Sequence, residues 1–251
     1  DLDQNRFDPL LDLEDPSLEY SRADFDRTHA FNFNGIYELP FGQGKRWLNE
    51  GGWVDQVFGG WQISSIVQYV TGAPISFRDP RGTLNRNARS TRQTAVTTLT
   101  KEELRDLVGI FKTPNGVFFI DPSVIGANGS ATNGNPQATP SNPAFAGQVF
   151  FNVPPGTTST LERAFINGPD FLTVDVGLGK RIRFNEKFSL QVRAEAFNVF
   201  NRANFRPVTG AGTDGALGEN SNLFNINSTT FGRITTTFPP RIMQFGARFE
   251  F

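Results

Sequence analysis

Five stretches of the chain alternate between apolar and polar positions with a period of two. Residues 28–41 set Phe31, Phe33, Gly35, Tyr37, Leu39 and Phe41 against Asn32, Asn34 and Glu38, with Ile36 the exception. Residues 61–71 set Trp61, Ile63, Val67 and Tyr69 against Gln62, Ser64 and Gln68. Residues 172–184 group Leu172, Val174, Val176, Leu178, Ile182 and Phe184 opposite Thr173, Asp175, Arg181 and Arg183. Residues 187–201 set Phe188, Leu190, Val192, Ala194 and Ala196 against Ser189, Gln191, Arg193 and Glu195. Residues 241–251 place Met243, Phe245, Ala247, Phe249 and Phe251 opposite Gln244, Arg248 and Glu250. A period of two is the repeat of a β-strand. The predicted strands run to about 10–14 residues, against roughly 5–6 in globular proteins, and a tilted strand of about 9–11 spans a bilayer.

Two architectures share this pattern. An antiparallel sandwich puts the apolar face on a core and the polar face in water. A transmembrane barrel puts the apolar face in lipid and the charged face in a wet lumen. Alternation alone leaves both open. In the barrel, Asp175, Arg181, Arg183, Arg193, Glu195 and Arg248 face the lumen as a hydrated, mutually paired ladder.

The connections are unequal. FNEK (184–187) is a tight turn and 42–60 a medium link, whereas 79–165 and 202–240 are long excursions. With a periplasmic C-terminus, short and long connections sort onto opposite sides, as short periplasmic turns and long extracellular loops do in transmembrane barrels. Within the first excursion, Thr100 and Glu103 have capping-box spacing and predict a helix over 101–108. Asn115-Gly116 between apolar runs predicts a hairpin. The polar stretch 126–143 reads as mobile.

Composition narrows the functions. The 24 Lys+Arg against 25 Asp+Glu give a net charge of −1 and no electrostatic footprint for nucleic acid. There is no cysteine and one histidine, His29, which excludes thiolate chemistry and a His-rich metal site. The chain carries 26 Phe against 3 Tyr and 3 Trp, with 25 Gly and 16 Pro, a β-rich and turn-rich balance. No run approaches the roughly 20 apolar residues of a spanning helix. Asp1 is followed by no leader-like segment, so the chain is expected to begin after a removed leader or within a longer protein.

Candidate chemistry is sparse. Asp26 and His29 lack a nearby nucleophile and read as structural. Asp1, Asp3, Asn5 and Asp12 have calcium-loop spacing, but Arg6 replaces the glycine of the sharp turn. GQGKRW (42–47) lacks the remaining phosphate-loop residues and reads as a basic turn, from which Lys45 and Arg46 could meet lipid phosphates. Trp47, Trp53, Trp61, Phe41 and Phe58 form an aromatic girdle in the barrel and core in the sandwich. No enzymatic activity and no cofactor are expected.

The ending Gln244-x-Gly246-x-x-Phe249-x-Phe251 resembles the C-terminal assembly signal of outer-membrane barrels, which implies recognition by the barrel-insertion machinery through strand pairing. DRTHAFNFNGIYELPFGQGKRW, GGWQISSIVQYVTGAPISF, RAEAFNVFNRANF and FGRITTTFPPRIMQFGARFEF resemble blocks of TonB-dependent receptors, specifically the Oar-like branch. Asn198, Phe200 and Asn201 match the element of the penultimate strand. The resemblance implies an all-β fold, with this chain supplying about five C-terminal strands of a roughly 22-stranded plugged barrel. It implies uptake of an external ligand, driven by TonB, with no chemistry on the substrate. The plug domain and TonB box are not visible, and five strands leave two open edges. In lipid each unpaired backbone group costs several kcal/mol, so the remaining strands are expected elsewhere. A structural or adhesive barrel without TonB and a secreted carbohydrate-binding sandwich are the alternatives.

Overall fold

The computed structural model describes residues 15–23, 26–49, 52–83, 93–159, 161–185, 187–206 and 224–251. The sheet strands are β1 (Ala30–Glu38), β2 (Trp61–Val70), β3 (Phe171–Arg183), β4 (Ser189–Phe197) and β5 (Ile242–Glu250), each within a few residues of its predicted bounds. Each pairs antiparallel with its neighbour in sequence, giving one sheet in the order β1-β2-β3-β4-β5. The register keeps the alternation in phase across all five. Phe33 faces Val67 and Val67 faces Val174, while Leu178 faces Ala194 and Ala194 faces Phe245. Among the described residues β1 and β5 are edges, each bonded on one side only. The tight turn 184–188 and the link 39–60 lie at one end of the strands, and both long connections leave from the other.

The link contains a helix absent from the sequence expectation, α1 (Gly52–Phe58). Seven residues between glycines leave too short a window for a helical period to stand out. Asp55 fastens it: its Oδ1 accepts from the Gln43 N–H at 2.6 Å. A Cβ on Gly42, whose φ is +108°, would lie 2.7 Å from the Cα of Gly59, so glycine is required where the link closes on itself.

The chain divides into two compact units. One holds the sheet and α1. The other, the loop unit, is built from 71–169 and 205–236 with the N-terminal segment. Its helix α2 (Lys101–Asp106) has the predicted capping box, Thr100 and Glu103 each bonding the other's backbone N–H. The bond from Glu103 holds its carboxyl below the ordinary glutamate value. The helix ends short of the predicted 108 because Val108 opens the hairpin Val108–Thr113/Gly116–Ile120, to which Arg233–Ile234 adds a third strand.

The core of the loop unit is aromatic. Phe77, Phe150 and Phe231 are fully buried, with ring centroids 4.6 Å apart for Phe77–Phe150 and 5.6 Å for Phe150–Phe231. Buried Asp79 pairs with Arg81 at 3.0 Å and accepts from the Val153 N–H at 2.8 Å and the Asn227 amide at 3.3 Å, tying three distant segments. The stretch 126–143, expected to be mobile, is instead folded as successive turns. Ser130, Ala131 and Thr132 are buried, and the Thr132 hydroxyl donates to Asn227 Oδ1 at 3.1 Å. Asparagine side chains close these turns through their own backbone, which composition alone does not show.

Burial divides sharply. Among the described residues every buried hydrophobic side chain belongs to the loop unit, and of the exposed large ones only Tyr20 and Ile110 do. Phe31, Phe33, Tyr37, Met243, Phe245 and Phe249 of the sheet are all more than half exposed.

Candidate functional site

The two faces of the sheet carry opposite chemistry, and the register decides it. One face presents Phe31, Phe33 and Tyr37 of β1, then Ile63, Val67 and Tyr69 of β2. It continues through Val174, Leu178 and Ile182 of β3, Leu190 and Val192 of β4, and Phe245 and Phe249 of β5. The other carries Asp175, Arg181, Arg183, Arg193, Glu195 and Arg248, all six placed together as the sequence pattern expects. Arg181 forms an ion pair with Glu250 and donates to Ser189 Oγ at 3.2 Å, while Arg248 lies 3.5 Å from the same carboxylate. Glu195 accepts from the Gln244 amide. Asp175 Oδ1 accepts from the Thr173 hydroxyl at 3.0 Å and the Asn198 N–H at 2.8 Å. The ladder is only partly paired: among the described residues Arg183 and Arg193 have no carboxylate partner.

Asn198 and Asn201 form a corner at the end of β4. Both have positive φ, +50° and +51°, a conformation asparagine tolerates better than most residues. Asn198 is buried, and its amide accepts from the Arg202 N–H at 3.0 Å and donates to the Arg202 carbonyl at 2.9 Å. Asn201 Oδ1 accepts from the Arg241 N–H at 3.1 Å, just ahead of β5. Arg202 grips Asp170 through both carboxylate oxygens, and the Asn204 amide brackets the Leu172 backbone at 2.8 and 3.0 Å. The corner thus clasps the starts of β3 and β5 to the end of β4. Phe200 within it is exposed.

In β5, Gln244 and Gly246 lie on the charged face. Phe249 lies on the aromatic face, its ring 5.8 Å from Phe188 and 6.4 Å from Phe251. Nothing would meet a Cβ on Gly246, so packing within this chain does not require glycine there.

The comparisons with known proteins now bear on this geometry. The family model described as outer membrane beta barrel domain matches residues 3–244. The chain belongs to that family. No curated protein and no solved structure matches it. As an outer membrane barrel domain, the protein resides in the outer membrane. The aromatic face of its sheet is the part suited to hydrocarbon, since burying apolar area in an apolar medium is worth roughly 25 cal/mol per Å². A barrel domain, with its aromatic face uncovered, does not fit the secreted sandwich left open by alternation.

Residues of the expected aromatic girdle gather in the β1–β2 link. The Phe41 and Trp47 rings lie 5.6 Å apart, and Trp61 Nε1 donates to the Val57 carbonyl at 3.0 Å. Trp53 and Phe58 are exposed rather than core. Lys45 binds Glu38 at 2.7 Å, and Arg46 stands 5.2 Å over the Trp47 ring. Sequence reasoning missed Lys180, a cation on the aromatic face. Its Nζ donates to the Gly59 carbonyl at 2.6 Å and sits 5.6 Å over the Trp61 ring, which leaves it 5% exposed. The break in alternation at position 180 was the available signal. Asp26 is ion-paired with Arg22 at 2.8 Å. Asp1, Asp3, Asn5 and Asp12 lie outside the described residues.

The charged face also holds a depression of about 640 Å³, lined by Ile36, Ser64, Ile66, Asp175, Glu195 and Phe197 among others. The register explains it. One cross-strand row runs Ile36, Ser64, Gly177, Glu195, Gln244, and Gly177 leaves a gap in its middle. A Cβ there would lie 2.5 Å from Ser64 Oγ.

Proposed function

We propose that this chain is part of the barrel wall of a TonB-dependent receptor of the Oar-like branch, with about five strands of a roughly 22-stranded plugged barrel. The receptor takes up an external ligand through that barrel, energised by TonB and without chemistry on the ligand. The charged face lines the pore, the long connections 79–165 and 202–240 face outward to meet ligand, and the plug and TonB box belong to sequence upstream. The last strand, through Gln244, Gly246, Phe249 and Phe251, is the part read by the insertion machinery. One observation carries this reading: the sheet bares an aromatic face and sets charges on the other, while the described apolar core lies entirely in the loop unit.

These 251 residues contain no cysteine, so an introduced one can be labelled within them. Single cysteines are introduced at Ser64 and Gln244 on the charged face and at Val67 and Ala247 on the aromatic face. Cells are then treated with a charged, water-soluble maleimide. Labelling confined to the charged face is expected, and labelling of both faces alike overturns the wall assignment. TonB coupling is tested separately by ligand uptake with and without TonB. A folded loop unit also suits a structural or adhesive barrel, and function unaffected by loss of TonB selects that reading.

A further inference from the structure

Three apolar exceptions on the charged face lie together, while Val70, Phe171 and Ile242, also on that face, stand at strand ends. Ile36 and Ile66 interrupt the polar side of β1 and β2, and Phe197 ends that side of β4. In the sheet they converge. Asn34 pairs with Ile66, and Ile66 with Asp175; the adjoining row runs Ile36, Ser64, Gly177, Glu195. The three side chains border the 640 Å³ depression over Gly177 and are 75%, 49% and 41% exposed. An apolar patch on an otherwise hydrated wall is stabilised by whatever covers it.

Two carboxylates flank the patch. Asp175 is held in place by two donors, both on Oδ1. Glu195 is held by Gln244 through Oε2. Among the described residues their other oxygens have no donor, and no lysine or arginine lies within ion-pair distance of either group. Arg181 and Arg248 are committed to Glu250, and Arg193, the next residue along the charged face of β4, forms no ion pair with Glu195 among the described residues. The site therefore combines an apolar floor with two oriented carboxylates, neither of them in an ion pair among the described residues. An anion is repelled, and a neutral apolar body leaves the charges unanswered.

We propose that this depression binds a small organic cation, an amine or guanidinium carried on an apolar body, with its charged head between Asp175 and Glu195 and its body on Ile36, Ile66 and Phe197. The proposal rests on the reading that the charged face is wet.

The test uses the full chain in outer-membrane vesicles and dansylcadaverine, a fluorescent aromatic amine, with its N-acetylated form as the neutral control. Saturable binding of the amine is expected, with the acetylated form at least tenfold weaker. Glu195→Gln should weaken binding about tenfold, the loss of one charge-assisted contact. Asp175→Asn should do the same. Because Asp175 also holds the Asn198 corner, Glu195→Gln decides if the Asp175 variant fails to fold. Equal binding of amine and acetylated probe, or wild-type affinity in Glu195→Gln, overturns the site. Labelling of Ser64→Cys in the same vesicles separates the two readings. If that cysteine labels and the amine does not bind, only the cation site falls. If it does not label, the wet wall falls and the site with it.

Discussion

In the loop unit, Phe77, Phe150 and Phe231 stand 4.6 to 6.0 Å apart and are sealed from solvent. In the sheet, Phe31, Phe33, Phe245 and Phe249 occupy edge strands with more than half of each residue exposed. The residue type is the same, so the surroundings decide. Irregular chain can wrap a phenylalanine from several sides. A single-layered sheet offers each side chain only its cross-strand neighbours, and its outer surface has to find an apolar medium elsewhere. The loop unit carries its own core, whereas the aromatic face of the sheet is suited to hydrocarbon.

Substitutions can break that contrast. Phe150→Ala should cost the loop unit about 3–5 kcal/mol, as for a buried aromatic that leaves a cavity. Hydrogen exchange of the full chain in detergent micelles reads it, and Phe245→Ala measured alongside should cost less than about 1 kcal/mol. Equal losses would mean the sheet has a protein core after all. Next, Leu178→Arg, at mid-strand on the aromatic face, should destabilise the protein in vesicles by about 2–4 kcal/mol in urea titrations. Gln68→Arg on the charged face should be near neutral, and matching effects would show that both faces meet the same solvent.

A smaller effect sharpens the picture at the strand ends. Asn198→Ala removes two hydrogen bonds of a buried amide and the residue that tolerates φ of +50°, and should cost about 1–3 kcal/mol. Asn198→Gly keeps the backbone freedom and should recover part of the loss in the same titration. The smallest effect concerns pH. Glu103 in the α2 cap titrates below its ordinary value in the fold. Its contribution is therefore complete above the unfolded glutamate pKa and is lost as pH falls through the lower folded value. Amide exchange in α2 should quicken on acidification, and Glu103→Ala should remove that dependence. An unchanged pH profile in the variant counts against the cap.

Period-two patterning located all five sheet strands because each is half exposed to one medium and half to another, so every position reports its face. The charged residues followed from the same parity. The loop unit was legible only in pieces. Its capping box and its Asn115-Gly116 turn are local signals, whereas the burial of Ser130 and Thr132 depends on Asn227, far along the chain. The depression was hidden for a related reason. Ile36 stands out in sequence as an exception, but its nearness to Ile66 and Phe197 exists only once the register is set. Lys180 escaped because its partners, Gly59 and Trp61, belong to another strand and its link.

The ties of Asp79 carry a consequence for the order of assembly. Strands β3 and β4 need only a short turn between them and can zip as soon as both are made. The loop unit closes Asp79 onto Asn227, 148 residues later, and Phe77 onto Phe231. A chain halted after Phe197 but before those positions holds both strands of the hairpin and a loop unit without its keystone.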